Sequence, residues 1–328
     1  MDRRNFIGGG LAAGLAVQLL PGRPLHAQAK YPASPVRLIV PYAPGGVVDA
    51  MARIWADRMK PYDTLVIENQ GGGGGTIGAA SVAHAKPDGY TLLFGDTSSQ
   101  IIAPYLMLHP PYDGLKDFAP VSMIAASSTS IVVHPSVPAT NLAEFITYAR
   151  ANQAKLSYAS AGTGTVTHLA GELFKQLAKT PGILHVPYRG SGPGLVDLIA
   201  GVVPMMTPNV TSQVLDFHRA GNLRILAVCA PARLKAAPEI PAAPETLPGL
   251  VARLTSGVLA PAGTPQAIID QLSIATTAVA KQPEFAAALQ ASGLEVRSDV
   301  SPAGAQAYLV SERQRLIPII QAAGLQPM

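Results

Sequence analysis

The sequence is poor in cysteine, and Cys229 is the single thiol in 328 residues. One thiol cannot form a disulfide within the chain, even in an oxidising compartment. The folded protein must therefore depend on its hydrophobic core, for which 48% of the residues are of suitable type.

Long apolar runs are missing after the N-terminal segment, so no later segment is predicted to span a membrane. In that segment, Arg3 and Arg4 precede an apolar, glycine-rich run from Gly8 to Leu20, and a small-x-small site ends at Ala29. Residues 1–29 are therefore predicted to be an export signal that is cleaved near Ala29 and directs the protein to the periplasm. The arginine pair fits either the twin-arginine route or the basic start of an ordinary secretory leader.

Charge is also scarce, since charged residues make up 13% of the chain. The full sequence has 24 basic and 20 acidic residues, and removing Asp2, Arg3, Arg4 and Arg23 with the signal leaves 21 and 19. No stripe of lysine or arginine is present, which argues against nucleic acid as a partner.

Metal-binding spacings are absent as well. Six histidines follow the signal, and none forms an H-x-H, H-x-x-x-H or H-E-x-x-H pattern. We therefore expect neither a metal nor a cofactor. His168 is a candidate for the ligand cleft, although it could equally be a polar residue on the helix surface.

Short apolar runs alternate with helical patterns along the chain, which predicts an α/β fold. About 300 residues after the signal are too many for one small core and indicate two lobes. The predicted strands are 36–40, 64–68, 91–94, 131–133, 156–158, 183–186, 224–228 and 257–260.

Two helix starts have recognisable caps. Asn141 with Glu144 forms a capping-box pattern. Thr264 and Pro265 are predicted to be the N-cap and first residue of a later helix.

A pattern of a strand, a glycine-rich turn and a helix start recurs four times, at 41–48, 71–78, 159–167 and 187–194. Helix N-termini present unpaired N–H groups and a partial positive charge, and therefore bind anions. Glycine lets the backbone come close to a ligand. The four turns therefore predict a cleft lined by backbone donors.

The second of these turns contains five consecutive glycines, Gly71 to Gly75, and Gly73 to Gly78 satisfies the G-x-G-x-x-G pattern. Asp96 follows at about the distance of the ribose carboxylate in dinucleotide-binding enzymes. That fingerprint normally follows the first strand, however, whereas a complete strand–helix unit at 36–60 precedes it here. An exported NAD(P)-dependent oxidoreductase is therefore kept only as the alternative function. In the favoured interpretation, Asp96 is a turn or strand-end residue.

A hydrolase is a weaker alternative. Residues 158–162, Tyr-Ala-Ser-Ala-Gly, match the second half of a G-x-S-x-G elbow, but Tyr158 replaces the first glycine. Ser160 is therefore expected to cap or line its loop.

Several short motifs follow one another in a fixed order after residue 30. They are Tyr31-Pro32, Val36 to Pro41, Pro44 to Gly46 with Asp49, Val66 to Asn69, Ile77-Gly78, Pro87 to Leu93, Lys116 to Phe118, Ser160 to Thr165 with His168, Val186 to Tyr188, and Ala260 to Pro265. In this order they resemble the Bug family, the TctC-like solute-binding proteins of tripartite tricarboxylate transporters. The resemblance covers essentially the whole chain after the signal.

The resemblance implies a two-lobed, type II-like periplasmic binding fold, in which each lobe is a mixed sheet flanked by helices and two strands cross between them. Residues 30–129 and 256–328 would form lobe 1, and residues 130–255 would form lobe 2. The protein would be a monomeric, non-enzymatic receptor for a small organic carboxylate, which it delivers to the membrane permease subunits. A sensor that feeds a two-component system would use the same site.

The resemblance and the glycine-rich turns together indicate the ligand-binding residues. In lobe 1 these are Tyr42, Ala43, Pro44, Gly45, Gly46, Asp49 and Ser98, and in lobe 2 they are Ala161, Gly162, Thr163, Gly164, Thr165, His168 and Arg189. Asp49 could also order its own turn, and Arg189 could be a surface cation.

The chain departs from the family pattern in three places. Gln70-Gly71-Gly72 stands where Arg-Pro-Gly is usual, Pro208-Asn209 where an acid is common, and Thr255 or Ser256 where an aromatic is expected. The first departure predicts a more mobile glycine turn, and together they leave the identity of the ligand open.

Overall fold

The computed structural model describes residues 31–59, 62 and 65–327 of the chain. The predicted export signal and its cleavage site lie outside the described residues. Within them, no helix combines the length and the apolar character that crossing a membrane would require.

Eleven strands are present in the described part of the chain. They are β1 (Val36–Val40), β2 (Leu65–Asn69), β3 (Thr91–Asp96), β4 (Phe118–Ser128), β5 (Ser130–Val133), β6 (Ser157–Ser160), β7 (Leu184–Pro187), β8 (Met205–Met206), β9 (Arg224–Val228), β10 (Arg253–Pro261) and β11 (Glu295–Val296). They form a six-stranded sheet in the order β11-β4-β10-β3-β1-β2 and a five-stranded sheet in the order β7-β6-β8-β5-β9.

Helices cover both sheets. They are α1 (Val47–Ala56), α2 (Thr76–Ala83), α3 (Ala103–Tyr105), α4 (Leu142–Asn152), α5 (Val166–Ala178), α6 (Ser191–Ile199), α7 (Ser212–Arg219), α8 (Gln266–Ala280), α9 (Pro283–Ala291) and α10 (Pro302–Ala322). We call the part built on the six-stranded sheet the first lobe and the part built on the five-stranded sheet the second lobe. The predicted α/β, two-sheet architecture is confirmed.

Each sheet mixes parallel and antiparallel pairs. In the first lobe β1 is parallel to both β2 and β3, and in the second lobe β6 is parallel to both β7 and β8. Parallel neighbours end at the same edge of a sheet, so the turns that follow them lie side by side. This places the predicted glycine-rich turns of each lobe at one edge.

The chain passes between the sheets at two adjacent places. It leaves the first sheet at the end of β4 and enters β5 after Thr129, and it returns at the start of β10. Thr129 N–H donates to the Ala252 carbonyl over 3.0 Å, and Cys229 N–H donates to the Thr129 carbonyl over 2.7 Å. The two passages are therefore tied together by backbone hydrogen bonds.

Two sequence predictions need correction here. Strand β4 was not predicted at all, because alanine, serine and Pro120 give this segment little strand propensity. Helix α8 begins at Gln266, and Pro265 is its N-cap with an extended ψ of 134°. The helix has no side-chain cap, and the Thr264 hydroxyl donates to the Pro261 carbonyl over 2.8 Å.

The predicted cap of α4 is confirmed. Asn141 Oδ1 accepts a hydrogen bond from Glu144 N–H at 2.9 Å. The Glu144 carboxylate in turn accepts from Thr140 N–H at 2.7 Å, one residue before the position that a standard capping box uses.

Replacing Asn141 with alanine should lower the free energy of unfolding by about 1 kcal/mol, because the first turn of α4 loses its side-chain acceptor. Urea denaturation checks this value. Asn141→Asp, which keeps the acceptor oxygen, is the control and should cost much less. Equal losses in the two variants would contradict the assignment of the cap.

Candidate functional site

A small cavity of about 20 Å³ lies between the two lobes. Both sheets contribute to its walls, through the turns after β1, β3 and β6 and through the crossing segments. Its lining residues are Tyr42, Gly46, Val47, Val48, Asp96, Ser98, Ala161, Thr165, Val166, Thr167, Ser191, Asn209 and Leu254.

Three helix N-termini reach this cavity. Val47 and Val48 begin α1, Val166 and Thr167 begin α5, and Ser191 begins α6. Helices α1 and α6 follow glycines and have no side-chain cap, so their first N–H groups have no capping acceptor from a side chain. Among the described residues that line the cavity, none is lysine, arginine or histidine. The backbone dipoles at the three helix starts supply positive potential there.

Asp49 orders the turn before α1 and does not line the cavity. Its carboxylate accepts hydrogen bonds from Gly45 N–H at 3.1 Å, from Asn69 Nδ2 at 3.0 Å and from the Arg53 guanidinium at 2.9 Å. Burial alone would raise the pKa of Asp49, but the hydrogen bonds from Arg53, Asn69 and Gly45 outweigh it and lower the pKa. The ionised carboxylate therefore holds the glycine turn in place.

Asp96 lies at the end of β3 and lines the cavity from the first lobe. Its Oδ1 accepts from the Tyr42 hydroxyl at 2.9 Å and from Ser99 N–H at 2.8 Å. The side chain is fully buried, and this burial raises its pKa. Asp96 is a strand-end residue as predicted, but the sequence did not indicate that it would be the one carboxyl group among the described lining residues.

The turn after β6 is held by hydrogen bonds of its own. Ala161 N–H donates to Thr167 Oγ1 at 2.9 Å, and Gly164 N–H donates to His168 Nδ1 at 3.3 Å. The His168 ring stacks on His185, with 4.1 Å between the ring centroids. His168 is 5% exposed and does not line the cavity, so it supports the turn from behind.

Ser160 forms a pair with a histidine that the sequence did not indicate. Its Oγ lies 2.7 Å from His185 Nε2 and accepts from Gly162 N–H at 3.1 Å. Ser160 is fully buried and lies outside the cavity lining, so it fixes its loop, as the sequence predicted, instead of facing a substrate.

The two lobes touch through backbone atoms. Ala43 N–H donates to the Arg189 carbonyl at 3.1 Å, and Val166 N–H donates to Ser98 Oγ at 3.0 Å. Arg189 contributes its carbonyl to this contact, while its side chain is exposed. The lobes are therefore closed over the cavity.

The five glycines form part of this contact. A Cβ on Gly71 would lie 2.7 Å from the Arg189 carbonyl oxygen and 2.8 Å from Ala43 N, and a Cβ on Gly74 would overlap the Thr163 carbonyl oxygen. Gly72 to Gly75 also have positive φ, between 57° and 140°. The glycine run therefore lets the backbones of the two lobes come close together. Its contact with the opposite lobe agrees with the prediction that it does not bind a dinucleotide.

The predicted site residues fall into two groups in the structure. Tyr42, Gly46, Ser98, Ala161 and Thr165 line the cavity. The other predicted residues shape the turns or the contact between the lobes: Ala43, Pro44, Gly45, Asp49, Gly162, Thr163, Gly164, His168 and Arg189.

The other residues that line the cavity were not predicted as site residues. Five of them, Val47, Val48, Val166, Thr167 and Ser191, lie within the predicted segments 41–48, 159–167 and 187–194, and the helix-start pattern itself could have indicated them. Leu254 lies at the start of β10, and Asn209 lies between β8 and α7 in a segment that pairs with Thr129; the sequence carries no local signal for either position. No cluster of potential metal ligands occurs in the described part of the chain.

The two stacked histidines predict a loss of stability in acid. Burial lowers the pKa of His168 to about 4 and, together with the charge on a protonated His168, lowers the pKa of His185 to about 3. The unfolded chain binds these protons first as the pH falls below about 6.5, so the free energy of unfolding decreases from there towards pH 4. His168 alone should account for roughly 3 kcal/mol of this loss.

Urea denaturation at several pH values measures the effect. His168→Gln keeps an acceptor for Gly164 N–H but cannot bind a proton, so its stability should fall less steeply between pH 6.5 and 4. Parallel pH profiles for this variant and the unchanged protein would refute the assignment.

Comparison with known proteins agrees with this geometry. The TctC family model, described as the tripartite tricarboxylate transporter family receptor, matches residues 51–325. A Pseudomonas sp. (strain P51) protein, described as a UPF0065 protein in the tcbD-tcbE intergenic region, is 37% identical over 81% of this chain and 79% of its own. BugT of Bordetella pertussis is 34% identical over 90% of each chain.

Solved structures show the same fold. The periplasmic binding protein BugD superposes with a TM-score of 0.85 and 30% identity, covering 91% of this chain and 100% of its own. An R. palustris protein with adipate gives 0.87 and 32% identity with the same coverage, and Rhodopseudomonas palustris MatC with bound malate gives 0.83 and 30%, covering 88% and 100%.

The family model describes a transporter receptor and BugD is a periplasmic binding protein, which confirms the prediction of a solute receptor and argues against the oxidoreductase and hydrolase alternatives. The two-lobed periplasmic binding fold is likewise confirmed. The chain belongs to the TctC family of solute-binding receptors.

Proposed function

We propose that this protein is a periplasmic receptor that captures a small organic carboxylate between its lobes. It then delivers the ligand to the membrane permease subunits of a tripartite tricarboxylate-type transporter. The observation that carries the proposal is the meeting of the α1, α5 and α6 N-termini, from both lobes, at a cavity whose described lining has no cationic side chain.

Helix N-termini suit a carboxylate because each supplies several N–H donors and about half a positive charge. Serine and threonine hydroxyls at Ser98, Thr165 and Thr167 add further donors around the same space. The adipate and malate bound by the two R. palustris relatives support a carboxylate ligand here. The family supports transfer to a permease, and the predicted export signal at 1–29 supports a periplasmic location.

Closure of the lobes belongs to this proposal. Lobe 1 would comprise residues 30–129 and 256–328 and lobe 2 residues 130–255, with hinge motion near 128–131 and 254–257. A ligand that touches helix N-termini on both lobes binds the closed form better and so shifts the population towards it. The protein would act as a monomer, since each chain contains both walls of the cleft.

A thermal-shift screen over mono-, di- and aromatic carboxylates tests the function. At a concentration about a hundredfold above its Kd, a ligand adds about 2.7 kcal/mol to the free energy of unfolding. At least one small acid should therefore raise the melting temperature by several degrees, whereas NADPH should not. A screen in which NADPH stabilises the protein and no acid does would reject the proposal.

Gly74→Ala should prevent closure, because the new methyl group would overlap the Thr163 carbonyl oxygen only when the lobes meet. Affinity for the acid found in the screen should fall at least about tenfold, since the ligand then contacts one lobe at a time. Small-angle scattering with that acid should show a larger radius of gyration than for the unchanged protein.

Gly221→Ala is the matched control. Gly221 has a φ of 75°, close to the 65° of Gly74, but nothing lies within 4 Å of the position of its Cβ. Both variants share the cost of placing alanine at positive φ, about 1 kcal/mol. Equal ligand affinity in the two variants would show that the Gly74 contact is not needed for closure.

A further inference from the structure

The described lining of the cavity contains one carboxyl group, that of Asp96. Three helix N-termini each supply about half a positive charge. Opposite them stands the buried carboxyl group of Asp96, and no described lining residue carries a cationic side chain. Asp49 does not alter this balance, because Arg53 neutralises it over 2.9 Å outside the lining.

A second carboxylate on the ligand would have no partner of opposite charge. It would lie in the same small cavity as Asp96, in a region that closure removes from water. An uncompensated buried charge is strongly unfavourable, and two carboxylates in one site disfavour each other's ionised form. The electrostatics of the site therefore favour a ligand that carries a single negative charge.

Asn209 points to the chemistry of the other end of the ligand. It is 4% exposed and lines the cavity, and its Nδ2 is buried without a hydrogen-bond partner in the protein. A buried amide donor without an acceptor is costly, so such groups are usually satisfied.

The backbone around Asn209 holds this side chain in a defined place. Asn209 pairs with Thr129 in an antiparallel bridge, and Val210 N–H donates to the Ser128 carbonyl at 2.9 Å. Its amide thus lies beside the crossing segments, on a part of the lining that does not belong to any of the three helix starts.

We propose that the ligand is a monoanion with an uncharged acceptor at its other end. Its carboxylate binds at the N-termini of α1, α5 and α6, and a neutral oxygen, such as an amide carbonyl, accepts a hydrogen bond from Asn209 Nδ2. This inference rests on the proposed carboxylate-receptor function and names the class of ligand for the same site.

Matched pairs of acids test it. Succinamate, glutaramate and adipamate each differ from succinate, glutarate and adipate by one amide in place of one carboxylate. In calorimetric titrations at pH 7.5, the best monoamide should bind at least tenfold more tightly than the diacid of the same length. A diacid that binds equally or more tightly, or the failure of all three monoamides to bind at millimolar concentration, overturns the inference.

Two variants test the residues separately. Asn209→Leu keeps the size of the side chain but removes its donor, so the preference for the monoamide over a plain monocarboxylate of similar length should be lost. Asp96→Asn removes the opposing carboxyl group, so the diacid should gain at least tenfold in affinity. Glu172→Gln is the control, because Glu172 lies outside the lining and should leave both affinities unchanged.

Unchanged preferences in Asn209→Leu and Asp96→Asn would overturn the inference even if the monoamides bind well. These outcomes are separate from the failure of the proposed function. If the proposed function fails, no carboxylate of any kind stabilises the protein in the thermal-shift screen. If only this inference fails, carboxylates bind, but the monoamides bind no more tightly than the diacids.

Discussion

The two lobes meet through backbone atoms, and this close approach is the constraint on which the site depends. The hydrogen bond from Ala43 N–H to the Arg189 carbonyl, and the packing of Gly74 against Thr163, leave no room for a Cβ at the glycine positions. Because the turns touch at this distance, the helices that follow them begin around one cavity. Larger residues would separate the helix N-termini and weaken the field that they share.

The cavity is lined by helix starts and hydroxyl groups, and few of its described lining residues are charged. The charged groups nearest to the first-lobe turn, Asp49 and Arg53, are paired with each other and hold the turn in position. Likewise His168, held neutral by burial, accepts a hydrogen bond from the second-lobe turn. On this scaffold, Asp96 and Asn209 are the lining residues to which the proposal assigns the choice of ligand.

Much of the fold could be predicted from local patterns. The alternation of short apolar runs with helical periods located β1, β2, β3 and most strands of the second lobe, although their ends differ by one or two residues. Strand β4 escaped prediction because its small residues and Pro120 have low strand propensity. It is stabilised by pairing with β10 along its length and with β11 on its other side. Thr264 was wrongly predicted to be the N-cap of α8. Its hydroxyl donates to the Pro261 carbonyl, and the sequence alone does not reveal this hydrogen bond.

The sequence by itself determined where the backbone donors would be, since glycine-rich turns before helix starts follow from local conformational preferences. It also determined the family, through an ordered series of motifs. Only the tertiary structure decided which residues line the cavity between the lobes. Asp96, Asn209 and Leu254 come together from segments far apart in the chain. Contacts between such distant segments produce no periodic pattern in the sequence. The role of the five glycines was decided in the same way, because their neighbour, Thr163, belongs to the other lobe.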